Sequence, residues 1–360
     1  MSLVAEYLAQ VQIECRRPHR ETSKLLSAEI EKHVLMKRGS YIFFLLSLFV
    51  LLSLFGVSQT SRVKQLLHYH WGLASAAEIH KLRFAGTPKG KEVFFEGDGV
   101  RIAGTIFSVS KKNAPGIIFL HGSSVQGRKL AFCLLLSKEL AERGFHVLSM
   151  DMRGFGESED PHLIDEVDSW QSKGDVSKAI DFLIKNATVD TSALFIVGHS
   201  AGANQAIIAG IYDHRLKKIV AIGPSRRVKE RILSDQAKNR EYFIERFARD
   251  RKLTALPSWE TYRQISINAM LDTYIPYFQT EDHKPLFLID GSLEGPEDLE
   301  FLRNIYQELI PPKKYFTIEG SNHYSNTKAL GPLIFYHKQV FDELVDKIAS
   351  WLKESLPDIG

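Results

Sequence analysis

The sequence predicts an α/β fold with a mostly parallel sheet flanked by helices, and three observations predict it. Across residues 90–360, short apolar runs of strand length alternate with longer stretches of helical period, the arrangement of successive βα units. Runs such as 116–120 and 194–197 are apolar throughout, as strands buried on both faces are. Residues 225–284 then suit helices and no strand, so they predict a helical cap inserted late in the sheet.

The elements follow in order. Residues 92–95 and 101–107 suit two strands joined by Gly97-Asp98-Gly99, a hairpin turn signal. A strand at 116–120 runs into His121-Gly122-Ser123-Ser124, and 132–143 suits a helix. A strand at 145–150 precedes Asp151-Met152-Arg153-Gly154-Phe155-Gly156-Glu157-Ser158, and 168–185 is helical in period. Strands are expected at 194–197, 218–222, 285–290 and 315–318, the last of them followed by one closing helix over 333–353.

Composition bounds the function classes. The 360 residues are 44% hydrophobic and 25% charged, enough for one large globular domain with additions. A net charge of +3 is too small to argue for nucleic acid. Two cysteines, Cys15 and Cys133, supply neither a disulfide framework nor a zinc cluster.

The N-terminus has a different character. Residues 39–61 carry no charge and are mostly Phe, Leu, Ile and Val, long enough to cross a bilayer as a helix. Lys24, Lys32, Lys37 and Arg38 precede the run, against Arg62 and Lys64 after it. That bias places the N-terminal tail, 1–38, in the cytoplasm and the C-terminal part across the membrane. A cleaved secretory signal is the rival reading, with Met36-Lys37-Arg38 as its charged region, but no clear cleavage site follows. Residues 62–88 read as a juxtamembrane segment, and 89–360 as the catalytic domain.

The chemistry centres on Gly198-His199-Ser200-Ala201-Gly202, between a strand and a helix. A serine flanked by glycines at such a turn is the nucleophile-elbow pattern: the sharp turn holds the hydroxyl outward, and the helix N-terminus faces a developing oxyanion. A serine hydroxyl needs a base. Four histidines follow Ser200: His214, His283, His323 and His337. His323 stands just past the last expected strand, in a glycine-containing loop.

Together, His121-Gly122, the Asp151–Ser158 motif, the elbow and the late His323 resemble the α/β-hydrolase superfamily over residues 90–360. The resemblance implies a Ser-acid-His triad in that chain order, with Ser200 as nucleophile and His323 as base. It places the acid after the strand at 285–290, where Gly291-Ser292-Leu293-Glu294 puts Glu294 in the position more often held by aspartate. Asp298 and then Asp290 are the alternatives. The oxyanion hole would use the backbone N–H groups of Ala201 and Ser123. The Asp151 motif would be structural, and His199 would shape the elbow.

The cap holds Tyr242, Phe243, Phe247, Trp259, Tyr262, Tyr274, Tyr277 and Phe278, and opens with Arg226, Arg227, Lys229 and Arg231. The arginines suit either a solvated face or attraction for an anionic substrate or lipid headgroup. The expected activity is a membrane-anchored serine hydrolase of an ester, thioester or lipid ester, and it implies no metal or organic cofactor. A peptidase, an acyltransferase or a non-catalytic binding module remain as alternatives.

Overall fold

The computed structural model describes residues 65, 67–68, 70–73, 76–226, 232, 237–251 and 253–354. The charge-free run at 39–61 and the tail before it lie outside these residues. Among the described residues no helix is long and apolar enough to cross a membrane.

In chain order the strands are β1 (Leu82–Gly86), β2 (Lys91–Glu96), β3 (Arg101–Phe107), β4 (Ala114–Leu120), β5 (His146–Met150), β6 (Val189–His199), β7 (Leu216–Ile222), β8 (Leu286–Gly291), β9 (Lys313–Ile318), β10 (Thr327–Leu330) and β11 (Leu333–His337). The helices are α1 (Ala131–Glu142), α2 (Lys173–Asn186), α3 (Ala201–Tyr212), α4 (Ala237–Asp250), α5 (Trp259–Asn268), α6 (Pro296–Glu308) and α7 (Lys338–Lys353).

The main sheet has eight strands in the order β2-β3-β5-β4-β6-β7-β8-β9. Strands β2, β3 and β5 pair antiparallel, and every pair from β5 to β9 is parallel. Parallel neighbours need crossovers: α1, α2, α3 and α6 supply four, and the cap with α4 and α5 supplies the one from β7 to β8. Successive strand residues point to opposite faces. Ile118, Leu148 and Ile196 therefore pack with α2 and α3, while Ile117, Phe119 and Val197 pack with α1 and α7. Each fully buried Leu, Ile or Phe contributes about 1.5–3 kcal/mol, which fixes the register of the strand ends that carry the site.

The C-terminal part departs from expectation. Residues 333–353 are not one helix, and the strand ending at Ile318 is not the last. Leu333–His337 is a strand that pairs with both β10 and β1 in a separate three-stranded antiparallel sheet. Its Ile, Phe and Tyr suit a pleated surface, and the turn at Gly331-Pro332 closes the hairpin. His337 then caps α7, its Nδ1 accepting from the Val340 N–H at 3.4 Å. Strand β1 lies inside the segment expected to precede the domain, yet it pairs with β11 along its whole length.

One other boundary moves. The helix expected from 168 begins at Lys173, because Val167–Trp170 forms a short 3-10 turn that turns Trp170 toward the cap. There Trp170, Phe247 and Tyr262 form a small core of their own, with Phe243 and Trp259 packed on it. Tyr274, Tyr277 and Phe278 pack on the main core instead.

Candidate active site

The elbow forms where β6 meets α3. Ser200 has φ 55° and ψ −123°, a left-handed backbone that costs a non-glycine residue on the order of 1–3 kcal/mol. Its N–H is tied to the Ile222 carbonyl at 2.8 Å. The flanking glycines are required by close approach. A Cβ on Gly198 would overlap the carbonyl of Gly202, and one on Gly202 would overlap the carbonyl of His121.

His323 and Glu294 meet from two neighbouring loops. His323 Nδ1 lies 3.0 Å from Glu294 Oε2. The Glu294 loop is laced to the one before His323, Ser292 N–H donating to Ile318 and Leu293 N–H to Ser321. Asp298 turns away to Arg226, at 3.1 Å. Asp290 is buried in β8, accepts from the Tyr315 hydroxyl, and burial raises its pKa. Of the three candidate acids, Glu294 is the one bonded to His323.

Ser200, Glu294 and His323 line one cavity of about 910 Å³. Among the described residues the Ser200 hydroxyl makes no hydrogen bond to His323. Such bonds often tighten only when substrate is bound. Ser200 also lines a second cavity, of about 240 Å³, together with Ser123 and Ala201. The two suggested oxyanion donors thus share the smaller cavity with the serine, and the histidine and carboxylate share the larger one with it.

Two buried histidines brace this arrangement. His199 Nε2 donates to the His323 backbone carbonyl at 2.7 Å. Burial, then the nearby His323, holds its pKa well below the usual histidine value, so it stays neutral. His121 Nδ1 donates to the Gly122 carbonyl at 2.6 Å, and its Nε2 accepts from the Met152 N–H at 3.1 Å. It thereby fixes the loop that leads to Ser123. The sequence assigned His199 only a shaping role and gave no hint of this bond, because its acceptor is a carbonyl 124 residues away.

The Asp151 motif is a buried polar knot. Asp151 accepts from the backbone N–H groups of Arg128 and Glu157, and it pairs with the Arg128 guanidinium, which also reaches Glu92 and Glu157. Arg153 clamps Asp175 with two bonds of 2.8 and 2.7 Å. Arg128 carried no sequence signal, since it sits in no recognisable motif. Of the basic cluster that opens the cap, Arg226 is engaged by Glu297 and Asp298; Arg227, Lys229 and Arg231 lie outside the described residues.

Comparisons with known proteins agree with this fold. Residues 112–273 match the family model described as serine aminopeptidase, S33. The chain is 28% identical over 131 residues to the thiohydrolase aneE of Aspergillus aculeatus, covering 36% of this chain and 40% of that protein. It is 52% identical over 44 residues to the human protein ABHD12B, 12% of either chain. The matches therefore span less than half the length of these relatives. Among solved structures, Est1E from Butyrivibrio proteoclasticus is similar with a TM-score of 0.52 and 15% identity, covering 74% of this chain and 99% of that one. GrgF, an alpha/beta hydrolase from Penicillium sp. sh18, is similar at 0.51 and 18%, covering 73% and 97%. An eight-stranded sheet in this order, a strained serine between two glycines and these likenesses show that the chain has the α/β-hydrolase fold.

Proposed function

We propose that the chain is a serine hydrolase that cleaves an ester or thioester through an acyl-enzyme on Ser200. The observation that carries the reading is the bond from His323 to Glu294 beside a serine held in a strained turn. In this reading His323 Nε2 takes the hydroxyl proton as Ser200 Oγ attacks the carbonyl carbon. Glu294 holds the proton on Nδ1 and stabilises the imidazolium. The N–H groups of Ser123 and Ala201 bind the oxyanion. As the intermediate collapses, the bond to the leaving oxygen or sulfur breaks and His323 returns the proton to it. Water, deprotonated by His323, then releases the acid and restores Ser200.

Thioester cleavage is included because one relative is named a thiohydrolase. A peptide N-terminus is a poorer fit. An aminopeptidase needs a carboxylate for the amine on the acyl half, and Asp250 and Asp298, the carboxylates that line the smaller cavity, are already paired with Arg246 and Arg226. We further infer that residues 39–61 anchor the chain in a membrane with the N-terminus cytoplasmic; the length of the charge-free run and the flanking charge bias support this.

The test is turnover of p-nitrophenyl butyrate and of a butyryl thioester by the purified full chain. Wild type should hydrolyse at least one, and Ser200→Ala should fall to the uncatalysed rate with its thermal melt retained. Turnover surviving in Ser200→Ala rejects the acyl-enzyme. A wild type that binds but never cleaves such esters indicates a binding module.

A further inference from the structure

We propose that Lys328, on the wall of the larger cavity, recognises an anionic group, phosphate or carboxylate, carried by the leaving-group half of the substrate. This deepens the hydrolase reading and rests on it.

The two cavities that meet at Ser200 differ in lining. The smaller one holds the suggested oxyanion donors, and the apolar Ile232, Phe247 and Ile265 share its wall with Arg246, Asp250 and Arg251. His323 lines only the larger one. Because His323 hands its proton to the departing atom, the leaving group occupies the larger cavity. Its wall on that side is polar: His70, Asn322, Thr327 and Lys328.

Among the cations of that wall, Lys328 stands apart. Arg226 is engaged by Glu297 and Asp298, and Arg246 lies 3.6 Å from Asp250. Lys328 Nζ has a neutral neighbour instead, His70 Nε2 at 3.4 Å. No carboxylate of the described residues lies in ion-pair range of it. The residue is half-buried on β10, five positions beyond His323. A partly desolvated ammonium with no counter-ion is unfavourable, and an anion arriving in the cavity offsets that cost. The position of His70 is fixed as well, its backbone carbonyl accepting from Asn322 Nδ2 at 3.3 Å. Burial, then the charge of Lys328, lowers the pKa of His70, so the pair holds a single positive charge near neutrality.

The experiment compares matched butyrate esters of glycerol, glyceric acid and glycerol 3-phosphate on the full chain, wild type, Lys328→Met and Lys328→Arg. Wild type should favour an anionic ester in kcat/KM at low salt. Lys328→Met should lower the ratio of anionic to neutral kcat/KM about tenfold, mainly through KM, and Lys328→Arg should restore most of it. The anionic ester that loses more names the group recognised. Equal kcat/KM for the neutral and both anionic esters in wild type, or an unchanged ratio in Lys328→Met, overturns the proposal and leaves the hydrolase reading intact. No turnover of any ester, with no fluorophosphonate adduct on Ser200, overturns both.

Discussion

His199 and His323 are joined by a hydrogen bond that engages the backbone of His323 and not its ring nitrogens. The Nε2–H of His199 donates to the backbone carbonyl of His323 at 2.7 Å, and their rings lie 4.8 Å apart. The strand end carrying the serine is thereby pinned to the loop carrying the base. Replacing His199 by Phe keeps a flat ring against Phe132 and removes the donor. The variant should lose about 1–3 kcal/mol of stability and show a fall in kcat of roughly tenfold with little change in KM. A normal kcat at a temperature where the variant is folded would reduce His199 to packing alone.

The choice of acid can be read from three conservative variants. Glu294→Gln leaves the loop geometry in place but removes the charge that sets the His323 tautomer, and kcat should drop by about 10³–10⁴. Asp298→Asn weakens the contact with Arg226, and Asp290→Asn alters a bond with Tyr315. Both should keep kcat within about tenfold of wild type. Steady-state kinetics on the three settle the assignment; a large loss in Asp298→Asn with Glu294→Gln active would reverse it.

The elbow leaves no room for a methyl group. In Gly202→Ala the new carbon would overlap the carbonyl of His121 and sit 2.5 Å from that of Leu120, so backbone must move. A cost of about 3 kcal/mol or more is expected, at the severe end for single substitutions. A thermal melt of the variant should fall by many degrees, or the protein should fail to accumulate in soluble form.

Buried neutral histidines set the acid side of the stability curve. The pKa values of His121 and His199 are both lowered, burial being the largest cause in each. In the unfolded chain each takes a proton near pH 6.5. Below that pH the unfolded state binds protons that the folded state refuses, so stability falls as pH drops. The slope is roughly 1.4 kcal/mol per pH unit for each of the two. Denaturant midpoints measured between about pH 7.5 and 5.5 should decline, and His199→Phe should flatten the decline. Glu157, held down at about 2 by Lys129 and then Arg128, acts in a lower window, its contribution fading only below the ordinary glutamate range.

Local chemistry made much of this legible. The hydrophobic runs located the main-sheet strands because a strand buried on both faces must be apolar. The elbow was visible because its turn tolerates only glycine at Gly198 and Gly202. What stayed hidden depends on distant partners. Leu333–His337 read as helix because it adjoins an amphipathic helix, and only β1 and β10 on either side make it a strand. His199, Arg128 and Lys328 acquire their roles from residues brought close by the fold. His70 is the extreme case, reaching Lys328 across 258 positions.

The central claim is that Ser200 is the nucleophile, and the site of covalent modification tests it most directly. Wild-type protein treated with a fluorophosphonate should gain one adduct, mapped by peptide mass spectrometry to Ser200. Glu294→Gln should slow its formation and Ser200→Ala should abolish it. An adduct on another residue, or none on folded wild type, would contradict the account.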